Sequence, residues 1–435
     1  PQALDDVLPF DVRVPGRPAI WAHHRRIGEA EVYFLVNIDR DRGGTATVEL
    51  RGAGKLEEWD LSTGDVRQLP CQQQACQRQG GLTRVALDFP PVGSHLLVLH
   101  PSQAPVLFRQ APEQVVSQIA LSDRWELALH GPNALTLDTA QVRLGDADIK
   151  TSEDWGEPLH VLDAHRMVAN AGAGTLFALR FTFDADVQVP PPVYLAVESP
   201  ERFEIAVNGQ PVASKDQGWW TDTSFRKLDI SAAVRAGRNE VVLSGTFGRD
   251  SELESVYVVG DFGVTGRRLR EENRFNGQVF DRYAPDFRLT APPTGVQAKD
   301  GQAVAIDLTA QGLACFAGRA TLRQTVTLPS LDGRTLLELH NLRAALAHVR
   351  VNGQRAGTVA WQPHRVDVTD ALKAGENVIE IELVGTLRNL LGPHHLNDGD
   401  LAWTGPGQFR DKNRWTDDYI LVPFGLDGAT LTTRR

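Results

Sequence analysis

The amino-acid sequence predicts an all-β protein built as tandem antiparallel β-sandwiches. Apolar and polar residues alternate along short runs, turn-forming residues punctuate those runs, and an internal repeat spans residues 207–426. Apolar residues at i, i+3, i+4 and i+7 are not sustained over 12 or more residues free of Gly and Pro, so long helices are not expected.

Alternation at 31–38 (EVYFLVNI), 45–50, 55–59, 82–89 and 94–100 marks five strands. Turns are expected at 41–44, 52–54 and 62–65, and Pro90-Pro91 precedes the closing strand. Residues 1–110 are thus expected to form one sandwich. The charged run 267–274 (RRLREENR) and the turn-rich 291–295 (APPTG) divide the rest into 111–268 and 269–435. Three units agree with a chain of 435 residues at roughly 150 per domain.

The repeat makes the second and third units copies of one another. In the first copy VNG (207–209) is followed by DIS (229–231), AGRN (236–239), a strand VVL, GT (245–246) and YVVGDFGV (257–264). The second copy reads VNG (351–353), DVT (367–369), AGEN (374–377), a strand VIEIEL, GT (385–386) and YILVPFGL (419–426). Asn-Gly after an apolar strand predicts a tight hairpin turn, and the Asp-led segment before AGxN predicts one helical turn feeding the next strand.

Spacing between copies locates what has been added. They lie 144 residues apart at VNG and 138 apart at the Asp station, so the first copy carries six extra residues. That segment holds Trp219, Trp220 and Asp222. From GT to the final Tyr the second copy takes 22 more residues, in a segment holding His394, His395, Trp403, Trp415, Asp417 and Asp418. Loops added to a rigid scaffold tend to carry binding residues. Indole faces stack on the C–H faces of a pyranose, and carboxylates and imidazoles hydrogen-bond its hydroxyls, so these nine residues are the candidate sugar-facing or domain-facing surface. The alternative for each Trp is packing of the loop onto its own sandwich.

Other titratable groups carry less. Adjacent His394 and His395 on an extended segment point to opposite sides, which makes joint ligation of one metal awkward; hydrogen bonding to a ligand or to another domain is the alternative. The 397–400 segment (NDGD) lacks the twelve-residue loop and closing Glu of a calcium hand. Glu252 and Glu254 are spaced for one face of a strand, where a solvated edge accounts for them. Nucleophile-elbow, Walker, dinucleotide and HExxH motifs are missing, so no catalytic residue is assigned. Cys71 and Cys76 are spaced for a small loop, with Cys315 left over. A net charge of −10 with mixed signs disfavours nucleic acid, and no apolar run approaches the ~18 residues that span a bilayer.

Several segments resemble the region after the catalytic barrel in glycoside hydrolase family 106, the α-L-rhamnosidases. They are HHRRIGEAEVYFLVN (23–37), EEWDLSTGDVRQLP (57–70), PNALTLD (132–138), GWWTDTSFRKLDIS (218–231), LRNLLGPHH (387–395) and WTDDYILVPFGLDG (415–428). The VNG and AGxN sandwich is similar more broadly to the galactose-binding-like jelly rolls of family 2 glycosidases. The resemblance implies that the last two sandwiches are jelly rolls of this kind. It also implies an upstream (β/α)-barrel in the same polypeptide bearing the acid and base of an inverting mechanism, with calcium in the full enzyme and a rhamnose-containing glycoside as substrate. A periplasmic or extracellular location is expected with it. No alternating βα pattern occurs here, so neither acid, base nor calcium ligand is carried onto a residue of this chain. The competing readings are a stand-alone lectin-like protein and the accessory sandwiches of a family 2-like glycosidase.

Overall fold

The structure, a computed structural model, describes residues 10–74, 81–102, 114–145, 155–213, 215–275, 278–299, 305–329, 332–399, 405, 409 and 411–435. It is all-β, with antiparallel sheets paired face to face around three hydrophobic cores. No helix among the described residues is long and apolar enough to cross a membrane.

In the first sandwich one sheet pairs Val12–Arg13, Gly44–Arg51, Leu82–Phe89 and Gln72–Gln74. The other pairs Ile20–Ile27, Ala30–Asn37, Ser94–Pro101, Gly54–Trp59 and Val66–Gln68. The period-two pattern is obeyed with one exception: Tyr33, Leu35, Val48, Leu50, Leu97 and Leu99 are fully buried, while their chain neighbours other than the buried Val98 are less so.

The second and third sandwiches share one strand order. In the second, Asn133–Leu137, Val256–Gly260, Val193–Glu198 and Asp222–Asp229 form one sheet. Thr139–Leu144, Leu176–Ala185, Gly237–Thr246 and Glu204–Val207 lie in the other. The third repeats this with Val115–Ala120, Gly428–Arg434, Arg334–His340 and Arg365–Asp367 facing Arg124–His130, Arg319–Leu328, Gly375–Val384 and Leu346–Val351. The third sandwich thus begins at 115–130, the chain then builds the second sandwich, and only afterwards returns. Trp125 and Leu127 belong to the third core, so the span 111–268 contributes strands to two cores.

The repeated stations superpose at the level of single hydrogen bonds. Asn239 accepts from the Arg235 N–H (2.9 Å) and donates to the Arg235 (2.7 Å) and Gly237 (3.0 Å) carbonyls. Asn377 does the same with Lys373 (3.0 and 2.7 Å) and Gly375 (3.0 Å). Each also accepts from the Asn of its own VNG turn, Asn208 (2.8 Å) or Asn352 (2.9 Å). Both turn asparagines adopt the left-handed region, with φ of 51° and 53°, which Asn tolerates better than most residues. At the Asp station Ser231 donates to Asp229 through N–H (2.9 Å) and hydroxyl (2.6 Å), as Thr369 does to Asp367 (3.0 and 2.6 Å).

These Asp stations make the fold acid-sensitive. The Ser231 hydroxyl and N–H hold the Asp229 carboxyl below its ordinary range. Burial opposes the charge of Asp367, but Arg334 and Thr369 outweigh it and lower that carboxyl too. A carboxyl depressed in the folded state stabilises it above the unfolded pKa of about 3.9 and loses that contribution as pH falls through the folded value. The melting temperature is therefore expected to drop between about pH 5 and pH 2, and to drop less in an Asp229→Asn, Asp367→Asn double variant. A double variant with the unaltered acid profile would contradict this.

Three expectations need correction. The final Tyr station is a likeness of sequence and not of position: Tyr419–Leu421 pairs with Gln278–Tyr283, and Gly428–Arg434 takes the place of Val256–Gly260. The charged run 267–274 is no linker, because Arg268–Phe275 forms a hairpin with Gln278–Tyr283 and Arg268 pairs with the buried carboxylates of Asp281 and Asp307. The 11-residue helix Val161–Ala171, which buries Val161, Ala164 and Val168 at i, i+3 and i+7, is shorter than the stripe length stated above, so the expectation of no long helices needs no correction. Glu252 and Glu254 are exposed in irregular chain rather than on a strand. Cys71 is half-buried and Cys315 buried, while Cys76 lies outside the described residues.

Candidate functional site

The longer insertion folds back onto the second sandwich. Its short helix Arg388–Leu391 sets Leu390 against Ala134, Ala196, Tyr257 and Val259, the outer face of a sheet in that sandwich. The Thr136 hydroxyl donates to the Leu390 carbonyl at 2.8 Å. The chain then reverses at Gly392, whose φ is 90° and where a Cβ would stand 2.8 Å from the His394 nitrogen. This reversal drives His394 and His395, 5% and 7% exposed, into the seam between the two sandwiches.

Both imidazoles converge on Asp138, which is 2% exposed and follows the strand Asn133–Leu137. Asp138 Oδ2 lies 3.3 Å from His394 Nδ1 and 3.2 Å from His395 Nε2. Its Oδ1 accepts short from the Tyr419 hydroxyl and, at 3.4 Å, from the Thr139 hydroxyl. His160 stands edge-on to His395 and to Trp415, and its Nδ1 caps the following helix by accepting the Leu162 N–H at 3.3 Å. Trp415 stacks on His395 with centroids 4.7 Å apart and donates to Asp417 at 2.9 Å.

Burial and charge act against each other in this cluster. Burial opposes the Asp138 charge, but the two histidine hydrogen bonds outweigh it and hold the carboxyl well below the usual range. Burial wins for His394, lowering its pKa, and for His160, lowering it to about 4. For His395 burial is outweighed by Asp138 and the pKa rises. Burial and the Asp138 charge together push the Tyr419 phenol well above its ordinary value.

The nine sequence candidates separate into three groups. His394 and His395 meet at Asp138, Trp415 stacks on His395, and the exposed Asp417 accepts from Trp415; Asp418 pairs with Arg282 at 3.0 Å, and Arg282 also reaches the Thr416 hydroxyl at 3.1 Å. Trp220, Trp219 and Asp222 lie on the hairpin of Asp216–Trp220 and Asp222–Asp229 in the second sandwich. There Trp220 packs on Tyr257 at 5.7 Å, Trp219 is 55% exposed, and Asp222 accepts the Ser224 N–H and hydroxyl at 2.8 Å each. Trp403 lies outside the described residues. Asp138, His160 and Tyr419 were missed as site residues; the one signal for Asp138 was a charge directly after the apolar run NALTL in PNALTLD.

No protein-family model and no curated protein matches the chain. Solved structures do. A rhamnosidase from Novosphingobium sp. PP1Y is similar over 100% of this chain and 26% of its own, at 18% identity and a TM-score of 0.45. An α-L-rhamnosidase from Streptomyces avermitilis is similar over 86% of this chain and 36% of its own, at 13% identity and a TM-score of 0.21. A β-D-mannosidase from Dictyoglomus thermophilum is similar over 58% and 31%, at 12% identity and a TM-score of 0.21. The chain thus spans 26–36% of the length of these solved glycosidases. Likenesses of this degree assign no family.

Proposed function

We propose that this chain is the non-catalytic β-sandwich part of an α-L-rhamnosidase-like glycoside hydrolase, acting with a catalytic barrel of the same polypeptide. The observation that carries the reading is the burial of the Asp138 cluster. A glycosidase acid and base must reach substrate and water, whereas Asp138 is 2% exposed and surrounded by His394, His395, Tyr419 and Thr139. Such a cluster links two sandwiches. The family-like motifs support the reading, because PNALTLD, LRNLLGPHH and WTDDYILVPFGLDG supply the joint with Asp138, Leu390, His394, His395, Trp415 and Tyr419. In this reading calcium belongs to the barrel, and the whole enzyme, acting on a rhamnose-containing glycoside, works in the periplasm or outside the cell.

The test is an assay of the 435-residue chain with an aryl α-L-rhamnoside, where no turnover above the blank is expected. Turnover that follows the chain through purification and disappears on replacing one of its own carboxylates would overturn the reading. A stand-alone carbohydrate-binding protein is the second reading, and the exposed Trp219 favours it. Under either, Trp219→Ala is expected to lower affinity for glycan or partner domain about 5- to 150-fold, the equivalent of about 1–3 kcal/mol, with the melting temperature unchanged. An unchanged affinity on isothermal titration with both would remove Trp219 from the binding surface.

A further inference from the structure

The protons of the Asp138 cluster do not balance if it holds only hydrogen bonds. Nδ1 of His395 faces the carbonyl oxygens of Thr416 (3.0 Å) and Asp418 (3.2 Å), so this nitrogen carries a proton and donates. In a neutral ring Nε2 then presents a lone pair to the anionic Asp138 Oδ2. His394 repeats the conflict, with Nε2 donating to the Asn389 carbonyl at 3.0 Å and Nδ1 facing the same Oδ2. Protonating one ring leaves the other facing Oδ2 with a lone pair, and protonating both would set two buried cations on one carboxylate. The separations of 3.2 and 3.3 Å are also longer than the ~2.7–2.9 Å of a charge-assisted N–H···O bond.

We propose that the cluster is a divalent-metal site, with Asp138, His160 and His395 as ligands and zinc as the ion that fits them. One ligand atom from each of the three lies within 4.8 Å of the other two. The 3.2 Å between His395 Nε2 and Asp138 Oδ2 is the edge of a tetrahedron whose bonds to a central ion are about 2.0 Å long. Two imidazoles and a carboxylate are a zinc donor set, and a cation between His395 Nε2 and Asp138 Oδ2 removes the conflict of that pair without an extra proton.

The surroundings orient the ligands as an outer shell does. His395 donates its other nitrogen to backbone carbonyls, which fixes the tautomer that leaves Nε2 as the ligand. Tyr419 occupies Asp138 Oδ1 and leaves Oδ2 for the metal. Because the His160 Nδ1 accepts the Leu162 N–H, Nε2 is the nitrogen left for the ion. Its ring is half-buried at the rim of the cluster. Trp415, stacked on His395 and edge-on to His160, holds both rings in place. This site does not depend on the glycosidase reading.

The experiment is metal loading of the full chain. Protein dialysed against a chelator is titrated with zinc chloride by calorimetry, and bound metal is counted by plasma mass spectrometry after desalting. About one zinc per chain is expected, and cobalt(II) should give the visible absorption of a low-symmetry nitrogen/oxygen site. His160→Asn retains a helix-capping oxygen while removing the ligand nitrogen, so it separates ligation from folding. It is expected to weaken zinc binding at least tenfold with an unchanged circular dichroism spectrum, and His395→Gln to do the same. Less than about a tenth of an equivalent of zinc on the parent chain, or full affinity in both variants, would overturn the site.

Discussion

Asp138→Ala will lower the unfolding free energy of the metal-free chain by about 3–5 kcal/mol, the range found when one member of a buried charged group is removed. The substitution leaves the Tyr419 hydroxyl without its acceptor and removes the carboxylate that both His394 and His395 face, in a seam where all three are buried. Asp138→Asn keeps one oxygen for Tyr419 and is expected to cost less, but it cannot satisfy two imidazoles and a phenol at once. Urea denaturation with a chelator present measures both. Because Asp138 sits between the second sandwich and the insertion of the third, the loss should uncouple the two, visible as a broadened or two-step transition. A loss below about 1 kcal/mol with a single sharp transition would show that Leu390 and its apolar neighbours hold the seam without the polar cluster.

Asn377→Ala is expected to cost about 2–4 kcal/mol. The side chain is fully buried and makes four hydrogen bonds, each worth about 1 kcal/mol, and alanine leaves the Lys373 N–H and two carbonyls without their partner. Asn239→Ala removes the same set from the second sandwich and should cost as much. The two sites are in separate sandwiches and share no partner, so their effects should add within about 0.5 kcal/mol. Equilibrium denaturation of the single and double variants decides this. A cost at one Asn and none at the other would mean that the repeated motif is kept for different reasons in the two copies.

These asparagines show how far a repeat in sequence can be read. AGRN and AGEN announce the same turn in both copies, and the bonds that form it are local, spanning two to four residues from the Asn. The last station misleads for the opposite reason. YVVGDFGV and YILVPFGL look alike, yet Tyr419–Leu421 is drawn to the edge offered by Gln278–Tyr283, a pairing across more than 130 residues that no local pattern specifies. Likewise His394 and His395 were visible as a dense pair in an insertion. Their partner was not, since Asp138 lies 256 residues away from His394 and was part of an otherwise apolar strand motif.

By itself the sequence missed Ile20–Ile27 and three short strands of the first sandwich, but it determined the other five of the nine described strands there to within a residue or so, the all-β class and the turns of the repeat. Each of these depends on side-chain alternation or on hydrogen bonds between near neighbours, which residue order carries directly. Only the tertiary structure decided that 115–130 joins the core of 295–434, that the longer insertion seals one sandwich to the next, and that Asp138 gathers the histidines. Those outcomes depend on which exposed edge and which apolar face a distant segment can cover. That choice is made by burial summed over the whole chain, and a buried carboxylate is tolerated only where folding brings donors to meet it.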